Sequence, residues 1–168
     1  MVELKLISKS GIPAALRKAT RYRLLNEPLE AESICRDVLA VDPENQEAIL
    51  MLLLSVTDEF DKGLAGALND AKSLLPKIKG EYERVYYEGI INERWGNAQL
   101  SKGGQMSIGW YRTAMGCYAK AEELSEPGND DAVLRWNTCV RITQRYDFAP
   151  ESMTNDILAE YGDDVPLG

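Results

Sequence analysis

The sequence contains no histidine. That absence removes the commonest general base, the imidazole of a nucleophile relay and most catalytic zinc sites. Only carboxylates, lysine or cysteine remain for chemistry. Cysteine is scarce as well: Cys35, Cys117 and Cys139 are odd in number, far apart, and each falls within a helical apolar pattern. Reduced thiols in a core fit that arrangement better than a disulfide frame or a zinc site. Long apolar runs are missing too. The longest, residues 48–56, is far below the roughly 20 residues that a membrane-spanning helix needs, and reads as a buried helix. Residues 1–10 alternate Val2, Leu4 and Leu6 with charges and lack the apolar block of a secretory signal, so a cytoplasmic protein is expected. A basic excess is also absent. The net charge of −8 argues against a nucleic acid or an anionic membrane as partner.

Candidate catalytic groups fare no better. The acidic pairs Glu122-Glu123, Asp130-Asp131 and Asp163-Asp164 are adjacent in sequence, so on a helix or loop they diverge into solvent. Gly103, Gly104 and Gly109 surround residues 105–108, but no strand precedes them and no Gly-Lys-Ser/Thr follows, so a turn explains them better than a phosphate loop. Cys117 has uncharged neighbours in Met115, Gly116 and Tyr118, and nothing to activate it as a nucleophile. The sequence therefore offers no catalytic residue, no metal ligand set and no cofactor motif. A non-enzymatic protein is expected.

What is present is a repeat. Ala31, Cys35 and Val38 stand at helical spacing with Pro43 closing the run. Leu64, Leu68, Ala71 and Pro76 repeat this 33 positions on, and Ala114, Tyr118, Ala121 and Pro127 repeat it again with one residue slipped before the proline. Ahead of these lie opening helices: Ala15, Leu16, Ala19 and Tyr22 in the first unit, and Ile49, Leu52, Leu53 and Val56 in the second. A period near 34 residues made of two helices is the mark of stacked helical hairpins. Such units cannot bury their apolar faces alone, so they stack into a solenoid that presents a binding surface. The one-residue difference between the two spacings puts a deletion in the turn near residues 57–62. From Leu64 to Ala114 is 50 residues, so the third hairpin is stretched. Two lengthened helices are predicted within residues 81–124, meeting at Gly103 and Gly104 and projecting beyond the stack. A last helix over about residues 130–146, with Val133, Trp136 and Val140 on its apolar face, serves as the cap.

This pattern resembles the tetratricopeptide repeat. In that family's unit a small residue is followed four later by an aromatic or apolar one, three later by another small one, and five later by proline. The resemblance covers roughly residues 12–146, with Ala19 and Leu53 where the family usually has glycine. It implies an all-α, right-handed superhelix of antiparallel helical hairpins with an elongated third hairpin, used to bind a protein or peptide and usually without catalysis. The expected organisation is a leader over residues 1–11, a helical repeat domain over 12–149 and an acidic tail over 150–168 with a short helix.

Some members of the family grip a C-terminal carboxylate through Lys, Asn and Arg on their opening helices. The corresponding positions here are Leu16, Thr20, Leu50, Leu54, Arg84 and Glu88, so that clamp is missing. The expected groove adds Arg23, Leu24 and Arg141 to these six and is apolar over its first half, which suits an amphipathic helix or an apolar peptide. Leu50 and Leu54 either line this groove or pack on the next helix. A second candidate is the hairpin tip, with Trp95, Leu100, Met106, Ile108 and Trp110. These form an exposed interface, or else the two tryptophans pair across the hairpin.

Charge is unevenly placed. Residues 151–168 hold Glu151, Asp156, Glu160, Asp163 and Asp164 and no base, a net −5. Residues 1–25 hold Lys5, Lys9, Arg17, Lys18, Arg21 and Arg23 against Glu3, a net +5. With Ile157, Leu158 and Tyr161 as an apolar face, the tail is suited to the groove of its own chain or of a neighbour, its acids meeting Arg17, Arg21 or Arg23. The leading expectation is an adaptor or assembly scaffold. The alternative is a chaperone-like holder of an apolar client, a homodimer through the long hairpin.

Overall fold

Proline and asparagine set the first helix boundaries. Pro13 sits in the first turn of α1 (Ile12–Leu24), where its missing N–H has no intrahelical role. Asn26 adopts a left-handed φ of 60° that stops the chain, and α2 (Pro28–Val41) starts at Pro28 itself. Asn45 then caps α3 (Gln46–Asp58): its side-chain oxygen accepts from the Ala48 N–H at 3.0 Å, while its amide donates to Asp42 at 3.0 Å. This computed structural model describes residues 2–63, 66–103 and 107–146, and among them the chain forms seven α-helices and no strand. No helix among the described residues is long and apolar enough to cross a membrane.

The remaining helices are α4 (Ala67–Leu74), α5 (Glu81–Ser101), α6 (Ser107–Leu124) and α7 (Asp131–Arg145). Of the third hairpin's helices, α5 has 21 residues and α6 has 18, against 13 or 14 in each of the first three, so this hairpin is the long one. The second helix of the second hairpin is shorter than the repeat predicts. Gly63 and Gly66 take φ of 66° and 89°, and a helix cannot run through that left-handed backbone, so α4 begins only at Ala67. Leu64, which opens the second copy of the pattern, lies outside the described residues. Gly103 also has a positive φ, 77°, after the end of α5. The tail, residues 147–168, is outside the described part of the chain.

Each helix packs on its neighbours in sequence, and the first helices of consecutive hairpins also meet, α1 on α3 and α3 on α5. The repeated positions form the core. Ala31, Cys35 and Val38 are fully buried, as are Ala71, Ala114, Tyr118 and Ala121. Ala19 and Leu53 are buried as well. One apolar cluster joins α1 to α4 with Ile91 and Ala98 of α5, and a second joins α5, α6 and α7 around Ile90, Tyr111 and Tyr118. Fully burying an aliphatic side chain of this size contributes roughly 2 kcal/mol.

Two glycines set the separation of the long pair. Gly89 and Gly96 are seven apart on α5 and both face α6. A Cβ on Gly89 would stand 2.5 Å from Cε1 of Tyr118, and one on Gly96 would stand 3.2 Å from Cβ of Trp110. Glycine here gives up about 1 kcal/mol of helix propensity and lets the large rings of α6 lie directly on the α5 backbone. On α7 the expected Val133 and Val140 are half-buried, and the apolar face centres between them and Ile142. The buried residues are Ala132 and Cys139, Ile142 packs beside them, and Trp136 is 38 % exposed.

Candidate interaction surface

Asp58 ends α3, where a carboxylate meets the negative end of the helix dipole and is locally unfavourable. Tertiary partners reverse that disadvantage. The Arg23 guanidinium, from the last turn of α1, donates to Asp58 through Nε at 2.7 Å and Nη2 at 3.3 Å. Arg94 of α5 donates through Nη1 at 2.5 Å to Oδ1, the oxygen that also accepts from Nη2 of Arg23. Nη1 of Arg94 also lies 2.7 Å from the Thr57 hydroxyl and 3.1 Å from the Leu54 carbonyl, so one guanidinium caps the end of α3. Burial lowers the pKa of Arg94 from its ordinary value, and the Asp58 charge works against that shift. Three consecutive opening helices are thereby tied edge to edge through Asp58.

Glu93, one position earlier on α5, is rotated by about 100° and faces α6 and α7 instead. It is 2 % exposed. The Tyr118 hydroxyl of α6 donates to it at 2.5 Å and Arg135 of α7 donates at 3.1 Å. Burial, and then the Glu93 charge, raise the pKa of Tyr118 well above the ordinary tyrosine value. Burial disfavours charge on Arg135, but the Glu93 carboxylate and a hydrogen bond with Tyr86 outweigh it and hold its pKa above the ordinary value. Adjacent charges on α5 thus bind the helix to both of its flanks.

Beside these ties the surface is recessed. Between the end of α3, the short turn Phe60–Lys62 and the second half of α5 lies a recess of about 340 Å³, lined by Asp58, Asp61, Arg94, Asn97 and Ser101 among others. A second recess of about 290 Å³ shares Asn97 and Ser101 and is closed by Leu100 of α5, by Ile142 and Arg145 of α7 and by Tyr146 just after it. Together they make a shallow, mixed-charge surface along α5, from the end of α3 to the end of α7. No group of metal-ligating side chains occurs among the described residues.

The expected groove residues do not gather on one surface. Leu16 is 4 % exposed and belongs to a core cluster with Val38 and Ala48, so its assignment to a groove is corrected. Leu50 packs against the first core cluster and Leu54 against the second. Leu16 is thus core, while Leu50 and Leu54 are half-buried with part of their surface packed on it. Thr20 donates back to the Leu16 carbonyl, and Arg84 donates to the Ile78 carbonyl at 2.8 Å ahead of α5. Leu24 is 82 % exposed, and Glu88 and Arg141 are exposed. Only Arg23 takes part in the ties, and Leu100 borders the second recess.

At the hairpin tip, Trp95 and Trp110 meet edge to face at 6.3 Å. Phe60 packs on Trp95 at 5.2 Å, and the Lys72 ammonium lies 5.5 Å from the Trp110 ring centre. Much of their aromatic surface is used inside the chain, against α4 and the turn after α3. Ile108 is half-buried, and Met106 lies outside the described residues.

Asp58, Arg94, Asn97 and Ser101 are the surface residues that sequence reasoning missed. One signal was there: Asp58 is 35 positions after Arg23 and Arg94 is 36 after Asp58, close to one repeat each, with alternating sign. The fold and this surface define an all-helical protein whose neighbouring helices pack on one another, with a polar recess between α3 and α5. No family model matches the chain, and neither the curated proteins nor the solved structures contain a match.

Proposed function

We propose that this chain is a cytoplasmic protein-interaction module, an adaptor or assembly scaffold of the tetratricopeptide kind, whose hairpins form a right-handed superhelix and hold a peptide or helix of a partner protein without catalysing a reaction. The observation that carries this reading is the edge-to-edge contact of α1, α3 and α5, which leaves a continuous surface with a recess where Arg94, Asn97 and Ser101 converge. Burial of Ala31, Cys35, Val38, Ala114, Tyr118 and Ala121 supports the repeat reading. The recess offers donors and acceptors beside Phe60, so a peptide with polar anchors suits it better than a wholly apolar segment.

The test is selection of binding peptides from a displayed library on the full chain, followed by affinity measurement on two variants. Ser101→Trp fills the recess from an exposed position, and Glu122→Lys alters charge on an exposed part of α6. Selected peptides should lose at least tenfold in affinity on Ser101→Trp and keep it on Glu122→Lys, with helicity unchanged in both. Peptides indifferent to Ser101→Trp would place binding elsewhere and defeat the assignment of this surface.

A further inference from the structure

The outer side of α1 carries a second surface. Lys18, Arg21, Tyr22 and Leu25, at positions i, i+3, i+4 and i+7 of the helix, line a shallow groove of about 280 Å³. Lys18 also borders an adjoining groove of about 270 Å³ with Ile7, Ala15 and Ile34, so the two make one track along the helix. Downstream, Leu24, Leu25 and Leu29 are 82 %, 58 % and 53 % exposed. Among the described residues Arg17, Lys18 and Arg21 form no ion pair, whereas Arg23 is taken by Asp58. The surface is apolar in its body and basic at its rim.

The complementary chemistry lies in the same chain. After Tyr146 come 22 residues with Asp147, Glu151, Asp156, Glu160, Asp163 and Asp164, no basic residue, and Phe148, Met153, Ile157, Leu158 and Tyr161 between them. The described part ends at Tyr146, beside Asn97 and Ser101 of α5. From α7 to α1 the contacts run through α5 and α3: Arg135 with Glu93, Arg94 with Asp58, and Asp58 with Arg23. Three helix spacings of about 10 Å give a span of roughly 30 Å. A segment of this length reaches up to about 70 Å when extended, at 3.3 Å per residue. Linkage in one chain holds it near α1 at an effective concentration in the millimolar range, roughly.

We propose that the acidic C-terminal segment, residues 147–168, docks on the α1 groove of its own chain, its acids against Lys18 and Arg21 and its apolar side chains on Tyr22 and Leu25. Asp37, in the upstream part of the track, repels that charge and confines docking to the downstream half. This face is separate from the recess between α3 and α5, so the docking stands whether or not that recess binds a peptide.

The test uses the full chain labelled with nitrogen-15. In the unaltered protein the amides of Ile157 and Leu158 should be ordered, and those of Arg21, Tyr22 and Leu25 should shift when Ile157→Asn and Leu158→Asn are introduced. Lys18→Glu with Arg21→Glu, both at exposed positions, should weaken docking roughly tenfold. Asp156→Lys with Glu160→Lys in that background should restore it, which loss of folding could not imitate. Tail amides at coil values in the unaltered protein would overturn the proposal, and so would charge reversal without effect. Tail shifts that grow with protein concentration, with a dimer in sedimentation, would assign the segment to a second copy and overturn docking within one chain.

Discussion

The Tyr118 hydroxyl stands 2.5 Å from the Glu93 carboxylate, and both groups are almost entirely removed from solvent. Tyr118→Phe leaves Glu93 with Arg135 as its remaining charged partner and should destabilise the fold by about 2 kcal/mol, the usual consequence of depriving a buried charge of a hydrogen bond. Urea unfolding at pH 7 measures it. Asn97 accepts from Tyr111 at 2.5 Å at a much more exposed position, so Asn97→Ala should have the smaller effect.

Alkaline pH should unfold this protein early. Tyr118, Tyr111 and Tyr87 are raised above the ordinary tyrosine value, Tyr111 to about 12, and burial pushes Cys35 and Cys139 up to about 12. A raised pKa means that the folded state holds its proton after the unfolded state has lost it. Stability is then full below the unfolded values, near 9 for thiols and 10 for tyrosines, and falls as pH rises from there toward 12. Urea midpoints should be level from pH 7 to 8 and decline beyond 9. Tyr118→Phe should flatten that decline, and an unchanged slope would contradict the account.

Gly89→Ala tests the close approach of α5 and α6. Alanine favours helix by about 1 kcal/mol, but its Cβ would fall 2.5 Å from a buried ring, so a net loss of about 2 kcal/mol is expected. Gly116 on α6 is exposed and meets nothing within 4 Å, so Gly116→Ala should stabilise by about 0.5–1 kcal/mol. Opposite signs for the same substitution in one hairpin, read from thermal midpoints, separate packing from propensity.

The ties through Asp58 should act as one unit. Arg94→Ala and Asp58→Ala should each destabilise by about 2 kcal/mol, and the double variant by clearly less than their sum. The exposed pair of Lys79 and Glu44, 3.2 Å apart, is the control: Lys79→Ala should change stability by less than about 0.5 kcal/mol.

Thiol labelling gives an order of reactivity. Cys35 and Cys139 are fully buried, while Cys117 is half-buried with its pKa pushed by burial up to about 11. At pH 8 Cys117 should react first but more slowly than a free thiol, and the other two only on unfolding. Fast labelling of Cys35 would mean that the first hairpin opens locally.

The sequence by itself determined the helices, most of their ends and most of the core. Pro13, Pro28, Asn26 and Asn45 act through their own backbones and side chains, and Ala31, Cys35 and Val38 declare a buried face by spacing alone. Such signals are local, so they are legible without the fold. Tertiary structure decided the surface. Leu16 went to the core with Val38 and Ala48, Leu50 is half-buried against it, and Trp136 stays 38 % exposed beside the buried Ala132 and Cys139. Whether Glu93 and Arg94 are solvated charges or ties depends on partners 36 to 42 positions away arriving within about 3 Å. The rotation and separation of whole helices set that distance, and Gly89 and Gly96 contribute to it only after α6 lies against them.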